Sequence, residues 1–235
     1  VALLVIGGGV AALVAAVLVI YFVIFPTSSP KPFSLKDTST GTTASTSAVR
    51  PASVSTLAGT WKIAAGSLAG YRVREKLAFL PAQSDAVGRT SHITGSATFA
   101  ESSGNVTISA ASFDIAVNTL RSDRSMRDEK IHEIGLESDR YPTSTFVLSK
   151  PVTLPASSID GKVDRVPVMG VIEIHGTSRT ETLPVEMTVS GSTFEAVGSL
   201  TFPWSEFGMT APSVGGFVNV TGKATLEFDL HMRRA

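Results

Sequence analysis

The sequence predicts an all-β fold: antiparallel strands forming a sandwich or barrel, one short charged helix set into it, and one membrane-spanning helix ahead of it. Three observations carry this. From about residue 59 onward, apolar and polar residues alternate with a period of two, the mark of strands with one apolar and one wet face. Turn signals punctuate the runs at Ser103-Gly104-Asn105, Asp160-Gly161 and Ser190-Gly191-Ser192. The runs follow one another without the crossover helices that parallel strands need.

The totals narrow the function. The chain has 235 residues, zero formal net charge and no cysteine. Balanced charge argues against nucleic acid as a partner. The missing cysteine removes disulfides, thiolate nucleophiles and Cys-bound zinc or iron–sulfur centres.

Residues 1–25 hold no charged and no strongly polar side chain. As a helix at 1.5 Å per residue, such a run reaches about 37 Å, enough for a hydrocarbon core of about 30 Å. Tyr21, Phe22 and Phe25 stand at its end, where aromatics favour the interface, and Pro26 and Pro30 stop it. A cleaved signal peptide would have a shorter apolar core and an A-x-A site. The reading is a single-pass anchor. Small-xxx-small spacing (Gly7/Ala11/Ala15 and Gly8/Ala12/Ala16) suits helix pairing in a homodimer, or is merely tolerated in lipid. Residues 26–57, rich in Ser, Thr, Ala and Pro, read as a flexible tether that holds the domain off the membrane. Residues 58–235 are then the β domain.

Within the domain, Tyr71, Val73, Leu77 and Phe79 alternate with Arg72, Arg74 and Lys76. Ile93 to Phe99, Val185 to Val189 and Val218 to Leu230 alternate in the same way. Four apolar rows carry glycine near the middle (Gly95, Gly170, Gly198 and Gly222), with Ala97, Ala196 and Ala224 beside three of them. If that face points inward, a barrel of about eight strands has an under-filled lumen with room for an apolar chain. Strand glycines also mark the bends and bulges that closure needs, and the pattern alone leaves both readings open. Glu75 has the parity of the apolar row, so it needs a partner, a ligand head group or a strand end in water.

The segment from Arg121 to Arg140 interrupts the strands. Ser125-x-x-Asp128 has the form of a capping box, and Gly135 stands where a C-cap would. Asp123 and Arg127 have the spacing of a helical ion pair. The charges balance, as on a solvated, salt-bridged surface; alternatively the segment is a lid whose arginines (Arg124, Arg127, Arg140) meet an anionic head group.

These features come together with Trp61-x-Ile63, Ser67, Tyr71-x-Val73, Gly88, Ser112-Phe113-Asp114, Arg127-Asp128, Tyr141-Pro142, Phe146, Gly176-x-Ser178-Arg179 and Ser205-x-Phe207-Gly208-Met209. In that order they resemble the YceI-like family of lipid-binding, lipocalin-like barrels. The chain departs from the family's pattern at Gly66 and Glu75, where histidines are common, so roles of those histidines do not carry over. The resemblance implies an extended antiparallel barrel, outside the cytoplasm, that binds a long polyisoprenoid or similar amphiphile in its lumen. The candidate ligand-binding residues are Tyr71, Val73, Glu75, Gly95, Ala97, Arg127, Gly170, Ile172, Ala196, Gly198, Gly222 and Ala224.

No G-x-S-x-G, P-loop, H-E-x-x-H or G-x-G-x-x-G motif is present, and His92, His132, His175 and His231 are scattered. The sequence therefore predicts a binding protein with no cofactor and no catalytic set. Two other readings stand beside it: a lipid-modifying enzyme with Glu75 as acid or base, and an envelope stress or interaction protein acting through its loops.

Overall fold

The computed structural model describes residues 29–35, 57–77, 83–214 and 218–235. Its strands are β1 (Gly59–Ile63), β2 (Leu68–Leu77), β3 (Gln83–Thr90), β4 (Ile93–Ser102), β5 (Asn105–Ala116), β6 (Thr143–Leu148), β7 (Val152–Thr153), β8 (Asp164–Ile174), β9 (Thr177–Ser190), β10 (Thr193–Phe202), β11 (Ser213–Val214) and β12 (Val218–Arg234). Two short α-helices interrupt them, α1 (Ser125–Lys130) and α2 (Ala156–Ile159).

The order β1-β4-β5-β6-β8-β9-β10-β12 runs around the wall and returns to β1, where Trp61 pairs with Arg234 and Ile63 with Met232. The result is a closed antiparallel barrel of eight strands. The length of β12 lets it serve two neighbours along one side. Its last residues pair with β1, and Val218 to Asp229 pair with β2. The β2–β3 hairpin thus continues the sheet, and a bridge from Arg89 to Arg121 ties it to the chain beyond β5. Two-residue turns with positive φ close the tight hairpins: Ser103-Gly104 between β4 and β5, His175-Gly176 between β8 and β9.

The register defines two ends. At one, Trp61 stacks on Phe99 with centroids 5.1 Å apart, and Phe99 meets Phe194 edge to face. Leu57 is buried beside them, and its carbonyl accepts the Trp61 indole N–H at 2.8 Å. This end is plugged. At the other end the chain leaves β5, forms α1 and a π-helical turn (Ile131–Gly135), and re-enters the wall at β6. This is the capped end.

The cap differs from its predicted form. Arg124, not Ser125, is the N-cap residue of α1, and no side chain caps the helix. Asp128 instead turns back and accepts the Ser122 N–H at 2.8 Å. Gly135 does not adopt the left-handed C-cap conformation; the positive φ belongs to Glu137. A Cβ on Gly135 would crowd Ile131 and Pro212, so glycine lets the cap pack down onto the chain before β12.

Outside the barrel, the start of the predicted tether is not free. Residues 29–35 lie along the outer face, bonded to β3, β2 and β9. The Ser29 hydroxyl donates to the Asp85 carbonyl, Arg72 donates to the Pro30 carbonyl at 2.7 Å, and Arg89 donates to the Lys31 carbonyl at 2.8 Å. The Arg89 guanidinium lies over the Phe33 ring at 3.8 Å. Leu35 is buried, and its N–H donates to Glu186 at 3.3 Å. The same two arginines clamp Glu227, whose side chain is 3% exposed. These seven residues of the predicted tether thus lie against the barrel, where Arg72 and Arg89 satisfy the Pro30 and Lys31 carbonyls. Among the described residues no helix is long and apolar enough to cross a membrane. The predicted anchor, residues 1–25, lies outside the described residues, as does most of the rest of the predicted tether.

Candidate ligand cavity

Inward-pointing side chains leave a cavity of about 190 Å³ in the barrel. That is room for roughly a dozen water-sized spheres. Its walls are almost wholly apolar: Val73, Ile93 and Phe113 on one side, Val185, Phe194, Leu226 and Leu230 on another, with Ile131 and Leu136 of the cap closing over it. Of the residues predicted to bind a ligand, Tyr71, Val73, Ala97, Ile172, Ala196 and Ala224 line this cavity. The structure therefore brings half of the predicted set together on one surface.

The four glycines do not line it, for two separate reasons. Gly170 and Gly198 are seats for aromatic rings. A Cβ at Gly198 would lie 2.5 Å from the Phe228 ring of its cross-strand partner, and one at Gly170 would strike the Phe146 ring. Gly88 under Tyr71 works the same way. The ring of one strand lies flat over the bare backbone of the next, a cross-strand pairing known to support sheet glycines. Gly95 and Gly222 are bends. Both are exposed with φ of +133° and +73°, and Gly222 sits where the β12–β2 register shifts. The void is thus bordered by rings and by the alanines rather than by these four glycines. The sequence signal for this lies in the aromatics beside Gly170 and Gly198 on the neighbouring strands, Phe146 on the diagonal and Phe228 directly opposite, and it is readable only once the register is known.

Glu75 and Arg127 are brought together, though away from the cavity lining. Arg127 Nε and Nη2 donate to the two Glu75 oxygens at 2.8 and 2.9 Å, a bidentate pair in which Glu75 is 7% exposed. Arg127 Nη1 also pairs with Asp123, as the helical spacing predicts. Burial works against the Arg127 charge, but hydrogen bonding and attraction from Glu75 and Asp123 outweigh it and hold its pKa above the ordinary value. Arg127 is thus fully engaged by the protein itself and does not present a free guanidinium to an anion. Both Glu75 oxygens are likewise taken, which leaves it poorly placed as the acid or base considered from the sequence. Arg140 is exposed, 4.0 Å from Glu137 and over the Tyr141 ring at 5.0 Å. Arg124 makes its ion pair with Asp123 at 3.8 Å.

Histidines hold the cap in shape. His132 bonds the Ser138 hydroxyl at 2.7 Å and meets the Leu120 carbonyl at 3.2 Å. His175 lies 3.1 Å from Glu137 and packs on Tyr141 at 4.4 Å. Among the described residues no group of three His, Asp or Glu side chains is placed to hold a metal.

The comparisons decide the family. The YceI-like domain profile matches residues 61–232. The chain belongs to the YceI-like family. Among solved structures it is similar to a polyisoprenoid binding domain from Saccharophagus degradans implicated in plant cell wall breakdown, with a TM-score of 0.56 and 12% identity over 76% of this chain and 99% of that one. It is also similar to BcnA of Burkholderia cenocepacia, with a TM-score of 0.50 and 20% identity over 69% of this chain and 95% of that one. At these identities both likenesses establish the shared barrel. No curated protein sequence matches the chain.

Proposed function

We propose that this YceI-like barrel carries or sequesters an isoprenoid lipid or similar long-chain amphiphile in its lumen, outside the cytoplasm, tethered to a membrane by residues 1–25. The observation that carries the reading is the apolar cavity, lined by Tyr71, Val73, Ala97, Ile172, Ala196 and Ala224, inside a barrel of this family. The polyisoprenoid binding domain of Saccharophagus degradans, built on the same barrel, supports it. Burying an isoprenoid chain against such walls gains about 0.8 kcal/mol per methylene-sized group, so recognition of the tail needs no directional contact. A segment of about seven or eight carbons fills the cavity as it stands, since an apolar cavity of about 150 Å³ takes a benzene. A longer one extends past the wall or turns the rings seated on Gly170 and Gly198.

The test is to purify the full chain from membranes, extract bound lipid and identify it by mass spectrometry. Ala196→Phe, which fills the cavity from a strand that closes the wall, should abolish co-purification while the barrel still melts cooperatively. Recovery of isoprenoid from that variant at the wild-type level would sink the reading.

A further inference from the structure

The barrel wall has a seam. β6 and β8 pair as far as Leu148 and Gly170, and the Ser149 N–H donates to the Met169 carbonyl at 2.9 Å. Beyond that point the two sides part. β7 pairs with β5 through Val152 and Thr153, and the Leu154 N–H follows to the Val106 carbonyl at 2.8 Å. β8 from Asp164 to Val168 pairs with β9. Among the described residues no backbone hydrogen bond joins 150–155 to 163–168. The sequence builds this open edge. Pro167 stands opposite Pro184 on β9. Neither has an N–H to exchange, so Pro167 turns its backbone away from β9 and toward the seam, where it has no donor to offer β7.

The seam joins the cavity to an apolar strip on the outer surface. Val152 on one lip and Val168 on the other both line the cavity. Outside, Val147 and Val171 are cross-strand partners one step from where the β6–β8 ladder stops, and Val163 precedes β8 at the far end of the seam. These are three of the four exposed large apolar side chains among the described residues; the fourth, Met126, is on α1. At its far end the seam is closed by α2. Leu154 and Ile159 are buried there, and the Ser157 and Ser158 hydroxyls donate to the same Asp164 oxygen at the start of β8. This clasp is made by side chains, so the seam widens without the loss of a ladder bond.

The cavity holds about seven or eight carbons, so most of a long isoprenoid has to lie elsewhere. Resting on the isoprenoid reading above, we infer that the excess tail leaves the lumen through the seam between β7 and β8 and lies on the outer strip of Val147, Val171 and Val163, a second hydrocarbon-binding site. Contact with the tail then shields valines that otherwise face water, a gain that grows with chain length once the cavity is full.

The experiment uses the full chain in detergent micelles with two isoprenoid alcohols: geraniol, which the cavity nearly holds, and geranylgeraniol, twice as long. Binding is followed by native mass spectrometry. Replacing both strip valines, Val147→Ser with Val171→Ser, should lower the ratio of geranylgeraniol to geraniol affinity about three- to tenfold, because only the longer alcohol reaches the strip. Both positions are exposed, so the barrel should fold, and reading the ratio keeps a loosened barrel from imitating the result. Met126→Ser, at the cap, should leave the ratio as in wild type. A ratio unchanged in the valine variant, or lowered as much by Met126→Ser, overturns the seam while leaving the cavity reading in place. So does an equal loss for both alcohols, since the valines then serve the barrel rather than the tail. Lost self-association with an unchanged ratio would assign the strip to a second copy and also overturn the inference. Failure of both alcohols to bind the wild type overturns both readings.

Discussion

At the plugged end of the barrel every polar atom of the aromatic cluster is satisfied and every ring has another ring against it. Trp61 donates to Leu57 and stacks on Phe99, which meets Phe194. At the capped end Tyr71 and Trp204 border a void with their donors unspent, while a few residues away Arg127 and Glu75 satisfy each other completely. The two ends use the same residue types. Their difference separates an end filled ring against ring from an end that keeps a cavity.

That contrast can be broken by substitution. Trp61→Ala should be the most damaging change, about 3–5 kcal/mol in denaturant unfolding, because it empties a filled site and strands the Leu57 carbonyl. Arg127→Ala should follow at about 3 kcal/mol by leaving Glu75 buried and unpaired, and pairing it with Glu75→Leu should restore most of the loss. If the single and double variants unfold alike, the pair does not tie the cap to the wall. Gly198→Leu should cost about 1–3 kcal/mol by pushing the Phe228 ring into the lumen, and should reduce lipid retention with it. Gly222→Ala, at a bend with open space around it, should cost about 1–2 kcal/mol of backbone strain and leave retention unchanged. Equal retention in Gly198→Leu and Gly222→Ala would show that the ring seats do not shape the cavity.

The smallest effect concerns pH and lies on the outer face. Burial holds the Asp229 carboxyl above the usual range, with Glu195 adding to it while His231 and Arg89 pull the other way. A carboxyl raised on folding adds stability below its unfolded pKa and loses that contribution as pH rises through its folded value. Asp229→Asn should therefore melt slightly above wild type at neutral pH. The advantage should vanish in thermal melts run at a pH below the ordinary carboxylate range.

Much of the fold was legible because alternation is a local property. The predicted strands through Ile93, Val185 and Val218 stand in the wall, the one through Tyr71 continues its sheet, and the predicted turns at Gly104 and Gly191 join wall strands. The cavity was half legible. Alanines and branched side chains of correct parity line it, since parity alone aims them inward. The glycines misled because their role depends on the residue across the ladder, and no sequence shows its own register. Glu75 was flagged as needing a partner, and Arg127 was singled out separately. The contact between them joins residues 52 positions apart and emerges only when the cap folds over the end of β2. Trp204 carries no signal in the sequence, because an indole's unmet donor cannot be seen in a one-dimensional pattern.

The strap has one more consequence. Residues 29–35 are bonded to Asp85 on β3, Arg72 on β2 and Glu186 on β9, strands that are not all neighbours in the sheet order. A short segment laid across the grain of a sheet acts as a batten across planks: it resists the sliding of one strand past another that the ladder bonds alone would allow.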